Sequence, residues 1–247
     1  MPAKPVEKMI IREGEFHIPL FLYRERRTNA RISIGKDAVH LRIPLLSFPG
    51  SVENHLKWAK NWVRTQLAKK PALGHRFRFR EYTDGMPVTT SLKTYHLEIL
   101  KEDRVTIGSG IKNDRVFLKL PPPPKGGFAT DKIQRAIAKA IASDQHDWFE
   151  KKVDHWNDQY FREDIDSVRL KYVRSKWGSC SADRKLTFSS RLLMAPEQGI
   201  DYVIVHELAH LKELNHSSKF WGWVEKAMPD YKKWDKKLRH HGHEYDF

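Results

Sequence analysis

The chain has 247 residues, 40% of them hydrophobic, with 8 Trp and 12 Phe, enough apolar mass for one large or two small cores. Its net charge of +14 at pH 7 favours anionic partners, DNA or other nucleic acid among them, although a well-solvated basic surface reads the same way. Cys180 is the only cysteine, which excludes an internal disulfide; with no signal-peptide core and no apolar run near the roughly 18 residues of a membrane span, the expectation is a soluble cytoplasmic protein with no membrane partner.

Ala30–Ile34 and Val39–Ile43 alternate apolar and polar residues around Gly35-Lys36-Asp37, the pattern of a β-hairpin with one buried face. Pro44 and Pro49-Gly50 stop it, and Val52, Leu56, Ala59, Val63 and Leu67 then follow helical spacing behind a Ser51 cap, with Trp58 and Trp62 as packing residues. Arg76-Phe-Arg-Phe-Arg80 alternates basic and aromatic side chains, as a strand with a buried Phe face does, or a surface for a phosphate backbone. Asp84-Gly85 reads as a turn, and Tyr95–Leu100, Val105–Ile107 and Val116–Leu120 as short strands. Pro121–Gly127, four prolines then Lys-Gly-Gly, reads as a linker, and no internal repeat is visible. The expected organisation is α+β: a β-rich module with one helix over residues 1–120, the linker over 121–127, and a second domain over 128–247.

In that second domain Ile133, Ala136, Ile137, Ala140 and Ile141 mark a helix that Trp148, Phe149, Val153 and Trp156 continue. Val168–Val173 and Leu186–Ser190 read as strands. Between them, Gly178 within Lys176-Trp-Gly-Ser-Cys-Ser181 suggests a backbone passing close to another group, and Cys180 reads as a small buried filler. Pro196-Glu197 opens the next helix, with Pro at an early position and an acid in the first turn.

That helix carries His206, Glu207 and His210 as H-E-x-x-H. Residues four apart share a helix face, so both imidazoles can meet one ion, and imidazoles suit Zn²⁺. Glu207 then stands where it can take a proton from water at that ion. His216 is the candidate third ligand, but six residues along an ideal helix would leave it out of phase. The helix must therefore end first, with Asn215 as a left-handed stop and Ser217 or Ser218 capping a new helix through Phe220, Trp223, Val224 and Ala227. Glu225 is the substitute ligand if His216 fails. Tyr231, Trp234 and Leu238 mark a last helix, and His240–Glu244 reads as a solvated tail.

With these residues in hand, the chain resembles the YgjP-like metallopeptidase family, related to the SprT-like zinc proteases. The resemblance rests on Lys176-Trp-Gly-Ser-Cys-Ser181, Arg191-Leu-Leu-Met-Ala-Pro196, Asp201–His210, Asn215-His-Ser, Phe220-Trp221 and Pro229-Asp-Tyr231, and more loosely on 28–67. It implies a zincin-like catalytic domain, one Zn²⁺ held by His206, His210 and His216, Glu207 as catalytic base, and a protein or peptide substrate. Trp177, Gly178, Ser179, Cys180 and Arg191 are the expected substrate contacts, with Arg191, Lys176 and Tyr202 as candidate oxyanion donors. Lys176 stands where the family usually has Arg, and Ser189 and Ser190 where it often has Asn. Two other chemistries share these residues: hydrolysis of a non-peptide amide or ester at the same centre, and a nucleic-acid-binding protein with an auxiliary metal site.

Overall fold

The computed structural model describes residues 5–35, 38–70, 73, 74, 77, 80–122, 130–242 and 244–247. The chain forms two compact units, Met1–Arg80 and Glu81–Phe247. This division falls earlier in the chain than the proline run, of which 123–127 lie outside the described residues.

The first unit holds β1 (Glu7–Glu13), β2 (Phe16–Glu25), β3 (Arg31–Ile34), β4 (Val39–Pro44) and α1 (Pro49–Lys69). The sheet order is β1-β2-β4-β3, with β2 and β4 parallel and the outer pairs antiparallel. The β3–β4 hairpin forms as expected, while β1 and most of β2 lie outside it; the hairpin's Lys36-Asp37 tip is outside the described residues. Ile11, Ile18, Leu20, Leu22, Val39, Leu41 and Ile43 bury one sheet face against Ala59 and Val63 of α1. Pro49 opens α1 after Phe48, so Ser51 lies inside the helix rather than capping it. Trp62 packs on this core, whereas Trp58 is exposed. Of Arg76–Arg80, only Phe77, which is buried, and Arg80 are described, and neither is in a strand.

The second unit begins with β5 (Pro87–Thr89), β6 (Thr94–Lys101), β7 (Gly108–Lys112), β8 (Arg115–Leu120) and α2 (Thr130–Asp144). The seventh strand starts at Gly108, not Val105, which is 95% exposed. Its sheet, β5-β6-β8-β7, repeats the first unit's order and strand directions. The registers match without a gap: Ile11↔Ile18 and Leu20↔Val39 in the first sheet correspond to Val88↔Tyr95 and Leu97↔Val116 in the second. Even the ion pairs recur, Glu25 with Arg27 and Arg42, Glu102 with Arg104 and Lys119. An internal repeat is therefore present where the sequence alone suggests none.

The rest of the second unit is α3 (His146–Trp156), a π-helical turn (Asn157–Phe161), β9 (Ser167–Lys171), β10 (Gly178–Cys180), β11 (Lys185–Ser189), a 3-10 turn (Ser190–Met194), α4 (Glu197–Lys212), α5 (Ser218–Ala227) and α6 (Tyr231–His241). The apolar stripe read as one helix breaks at Gln145, whose side-chain amide donates to Thr90 and Tyr95 hydroxyls at 2.7 and 2.8 Å. The small sheet runs β10-β11-β9, leaving β10 at an edge. One core joins Tyr95, Leu97, Val116 and Leu118 to α2, α3 and α4, so the second sheet belongs with the helices that follow it. The fold is α+β, and no helix among the described residues is long and apolar enough to cross a membrane.

Candidate active site

Charge and burial fix α4 at both ends. Lys152 of α3 reaches Glu197 at 2.8 Å and Asp201 at 2.9 Å, and the Trp156 indole donates to Asp201 at 3.0 Å. At the far end Lys212 pairs with Glu163 at 2.6 Å; Glu163 follows Arg162, a left-handed residue at φ 53° that closes the π-helical turn. Between these clamps Val203, Ile204, Val205, Leu208 and Ala209 are buried, so the rotation of the helix about its axis is set by its core face.

The helix ends at Lys212, and Glu213 is extended at φ −146°. Asn215 is not among the residues of positive φ, so an extended residue at the cap, not a left-handed one, makes the turn. The Ser217 hydroxyl then accepts from Phe220 N–H at 3.3 Å and caps α5. The returning chain brings His216 to His206 and His210: one ring nitrogen of each lies within 4.8 Å of the others. His206 Nε2 and His216 Nε2 are 3.1 Å apart. His210 Nδ1–H donates to the Glu213 carbonyl at 3.2 Å, which leaves its Nε2 lone pair free.

An aromatic wall backs the three imidazoles. Phe220, fully buried, sits 5.0, 4.5 and 4.7 Å from the rings of His206, His210 and His216. Trp221 flanks His206 and His216, Tyr231 stacks on Trp221 at 5.3 Å, and Tyr202 meets His206 edge-on. In the sequence Phe220 reads as a helix marker and, with Trp221, as part of the family resemblance; neither reading places its ring against the three imidazoles.

Burial, together with the neighbouring imidazoles, pulls His206 down to about 4, and burial likewise lowers His210. Both rings are thus neutral donors near neutral pH. Neutral imidazoles without a thiolate are a donor set that fits zinc, and the carbonyl held by His210 fixes its tautomer for that use.

Glu207, only 6% exposed, points away from solvent. Burial pushes its carboxyl up to about 7, against the opposing pull of the Lys176 charge and the Cys180 N–H. Gly178 faces the same carboxylate: a Cβ there would lie 2.5 Å from Glu207 Oε1. Ser179 and Cys180 complete edge strand β10, both half-buried, and burial and the Glu207 charge raise the Cys180 thiol.

The expected oxyanion donors separate. The Tyr202 hydroxyl donates to Asp235 at 3.0 Å. Arg191, 7% exposed, donates to the carbonyls of Tyr245 at 2.9 Å and Gly242 at 2.7 Å and lies 4.9 Å over the Trp177 ring. Lys176 alone of the three is exposed. In the His240–Glu244 tail, His240, His241 and Glu244 are exposed, Gly242 is buried and His243 lies outside the described residues; beyond it Phe247 is buried, and its carbonyl accepts from Tyr82 and Gln134. Glu225 is exposed on α5 and is not in the histidine group.

Three converging imidazoles beside a buried carboxyl are a candidate hydrolytic metal centre. The description "YgjP-like, metallopeptidase domain" matches residues 28–241, and the chain belongs to the YgjP-like family. It is a peptidase of the hydrolase class, and its family implies a divalent metal. Two solved structures share a segment with it. The metallopeptidase zymogen abylysin of Pyrococcus abyssi aligns at 28% identity over 37% of this chain and 93% of its own, with a TM-score of 0.34. The zymogen jannalysin of Methanocaldococcus jannaschii aligns at 21% identity over 37% and 94%, also at 0.34. No curated protein matches.

Proposed function

We propose that the chain is a zinc-dependent peptidase in which His206, His210 and His216 hold one Zn²⁺ and Glu207 is the general base. The observation that carries this reading is the convergence of three ring nitrogens within 4.8 Å beside a buried carboxyl pushed up to about 7. When bound, zinc supplies Lewis acidity, polarising a scissile carbonyl and making water a better nucleophile near neutral pH.

The chain's own residues do the rest. Glu207 takes a proton from the attacking water and later delivers it to the leaving amine, and its burial raises its affinity for protons above that of an exposed glutamate. His210 keeps its donor nitrogen turned inward through the Glu213 carbonyl. β10, as an edge strand, can accept an extended peptide as an added strand, which makes Trp177–Cys180 the candidate substrate-binding segment. Lys176, exposed and close enough to act on Glu207 electrostatically, is the candidate for steadying negative charge on the substrate oxygen. The lone Cys180 suits a reducing, cytoplasmic setting.

The test is zinc content and peptide cleavage for wild type, Glu207→Gln and His216→Ala. Glu207→Gln should keep zinc and lose on the order of 10² to 10⁴ in kcat, the usual contribution of a general base. His216→Ala should lose zinc. Full cleavage by Glu207→Gln removes the general-base role, and wild-type zinc affinity in His216→Ala removes the third ligand.

A nucleic-acid partner has one observation in its favour. Lys232, Lys233, Lys236 and Lys237 of α6 are exposed, and none is paired with a carboxylate among the described residues. Four phosphate contacts would give binding that falls with salt at a log–log slope of about −3.6 on duplex DNA. A flat salt series removes this partner.

A further inference from the structure

We infer that Gly178 is a positioning residue: the Trp177–Cys180 backbone is a rigid mould that holds the Glu207 side chain in one rotamer. The inference rests on the reading of Glu207 as general base and assigns the glycine of the W-G-S-C segment to the enzyme's own carboxylate.

A glutamate has three side-chain torsions, and a general base is useful only when its carboxylate is held within a fraction of an ångström of its working position. No side chain donates to Glu207 among the described residues; what fixes it is β10. A Cβ on residue 178 would lie 2.5 Å from Oε1, 2.6 Å from Cγ and 2.7 Å from Cδ of Glu207, so the outer half of the glutamate lies flat on the glycine. Two residues on, the Cys180 backbone N–H faces the same carboxylate and favours its charged form. The shape of the strand at Gly178 thus defines the rotamer.

Strand β10 is tied to its neighbour along its length. β10 pairs antiparallel with β11, Gly178 opposite Phe188 and Cys180 opposite Leu186, and the Ser189 N–H donates to the Trp177 carbonyl at 2.7 Å. On the other side the Trp177 ring lies against Arg191, which is held by the Tyr245 and Gly242 carbonyls. Gly242 itself has no room for a side chain: a Cβ there would meet Trp177 Cζ2 at 2.6 Å. The C-terminal segment, Trp177, Gly178 and Glu207 therefore form one tightly packed series. A methyl at 178 meets Glu207 first, and the glutamate side chain has more freedom to move than the paired strand.

The test is a double-mutant cycle on the zinc-loaded full chain with Gly178→Ala, Glu207→Asp and both together, reading kcat, KM, zinc content and Tm. Gly178→Ala should retain zinc and a near-wild-type KM and lose kcat by about 10²-fold, the scale of a ~1 Å misplacement. Aspartate is shorter by one methylene, so the pair should exceed the product of the single-variant activities by at least about tenfold. If Gly178→Ala also lowers Tm, Glu207→Asp should restore it for the same reason. Multiplicative losses, or an unchanged kcat in Gly178→Ala, overturn the inference. A fully active Glu207→Gln overturns the general-base reading beneath it, whereas an inactive Glu207→Gln beside a fully active Gly178→Ala overturns the mould alone.

Discussion

At the scale of single residues, the candidate site is set by what burial does to charge. Glu207 ionises near 7 in the folded metal-free chain and near its ordinary value of 4.5 when unfolded. Its neutral form is the one the fold tolerates, so its contribution to stability is complete below about 4.5 and is lost as pH rises through 7. The difference is about 3 kcal/mol at alkaline pH. His206, pulled down to about 4 from 6.5, acts in the opposite sense: its contribution is present above 6.5 and is lost as pH falls towards 4. Glu207→Gln removes the first effect and leaves the second. Thermal unfolding of metal-free wild type and Glu207→Gln from pH 4.5 to 8 should show the variant gaining relative stability with pH, levelling off above about 7; a constant difference would mean that Glu207 ionises normally. Ser190 offers a simpler case. It is fully buried and its hydroxyl has no hydrogen-bond partner among the described residues, so Ser190→Ala should raise stability by about 1 kcal/mol in a denaturant titration.

At the scale of elements, the ligand spacing was legible because a helix admits only one way to put residues four apart on a face, and because His216 required the helix to stop. How it stops was not legible: the expectation of a left-handed Asn215 came from residue preference, while the structure uses an extended Glu213 whose carbonyl also holds His210. The long stripe from Ile133 to Trp156 misled for a related reason. Its apolar period continues through Gln145, and only the tertiary bonds of that side chain to Thr90 and Tyr95 mark the break. α5 shows what pattern reading misses about function. Phe220 touches all three imidazoles from beneath, so its ring sets how far they can collapse on one another. Phe220→Ala should cost about 4 kcal/mol of stability through the cavity it leaves and should also weaken zinc binding, because His216 loses its backing. Equal loss of stability with unchanged zinc affinity by competitive chelation would confine Phe220 to packing.

At the scale of the whole molecule, the two sheets ask why a repeat so complete in register escaped the sequence. Leu20, Glu25, Arg27, Ile34, Asp37, Val39, Leu41 and Pro44 recur as Leu97, Glu102, Arg104, Ile111, Asp114, Val116, Leu118 and Pro121, but the positions between them differ. A sheet needs one apolar face and a turn that closes, and many side chains satisfy both. The copies have also diverged in what they bury. Ile18 of the first corresponds to Tyr95 of the second, whose hydroxyl donates to Asp144 at 2.7 Å and so ties the sheet to the end of α2. The second copy shares a core with the α4 helix that carries the histidines; the first has its own. Leu41 and Leu118 are equivalent, both fully buried, and sit in different cores. Leu41→Ala and Leu118→Ala should each remove about 3 kcal/mol from the core they belong to. Only Leu118→Ala should lower the temperature at which zinc is released, followed with a chromogenic chelator during heating. Equal lowering by Leu41→Ala would mean that the metal site depends on both copies of the sheet rather than on the one fused to it.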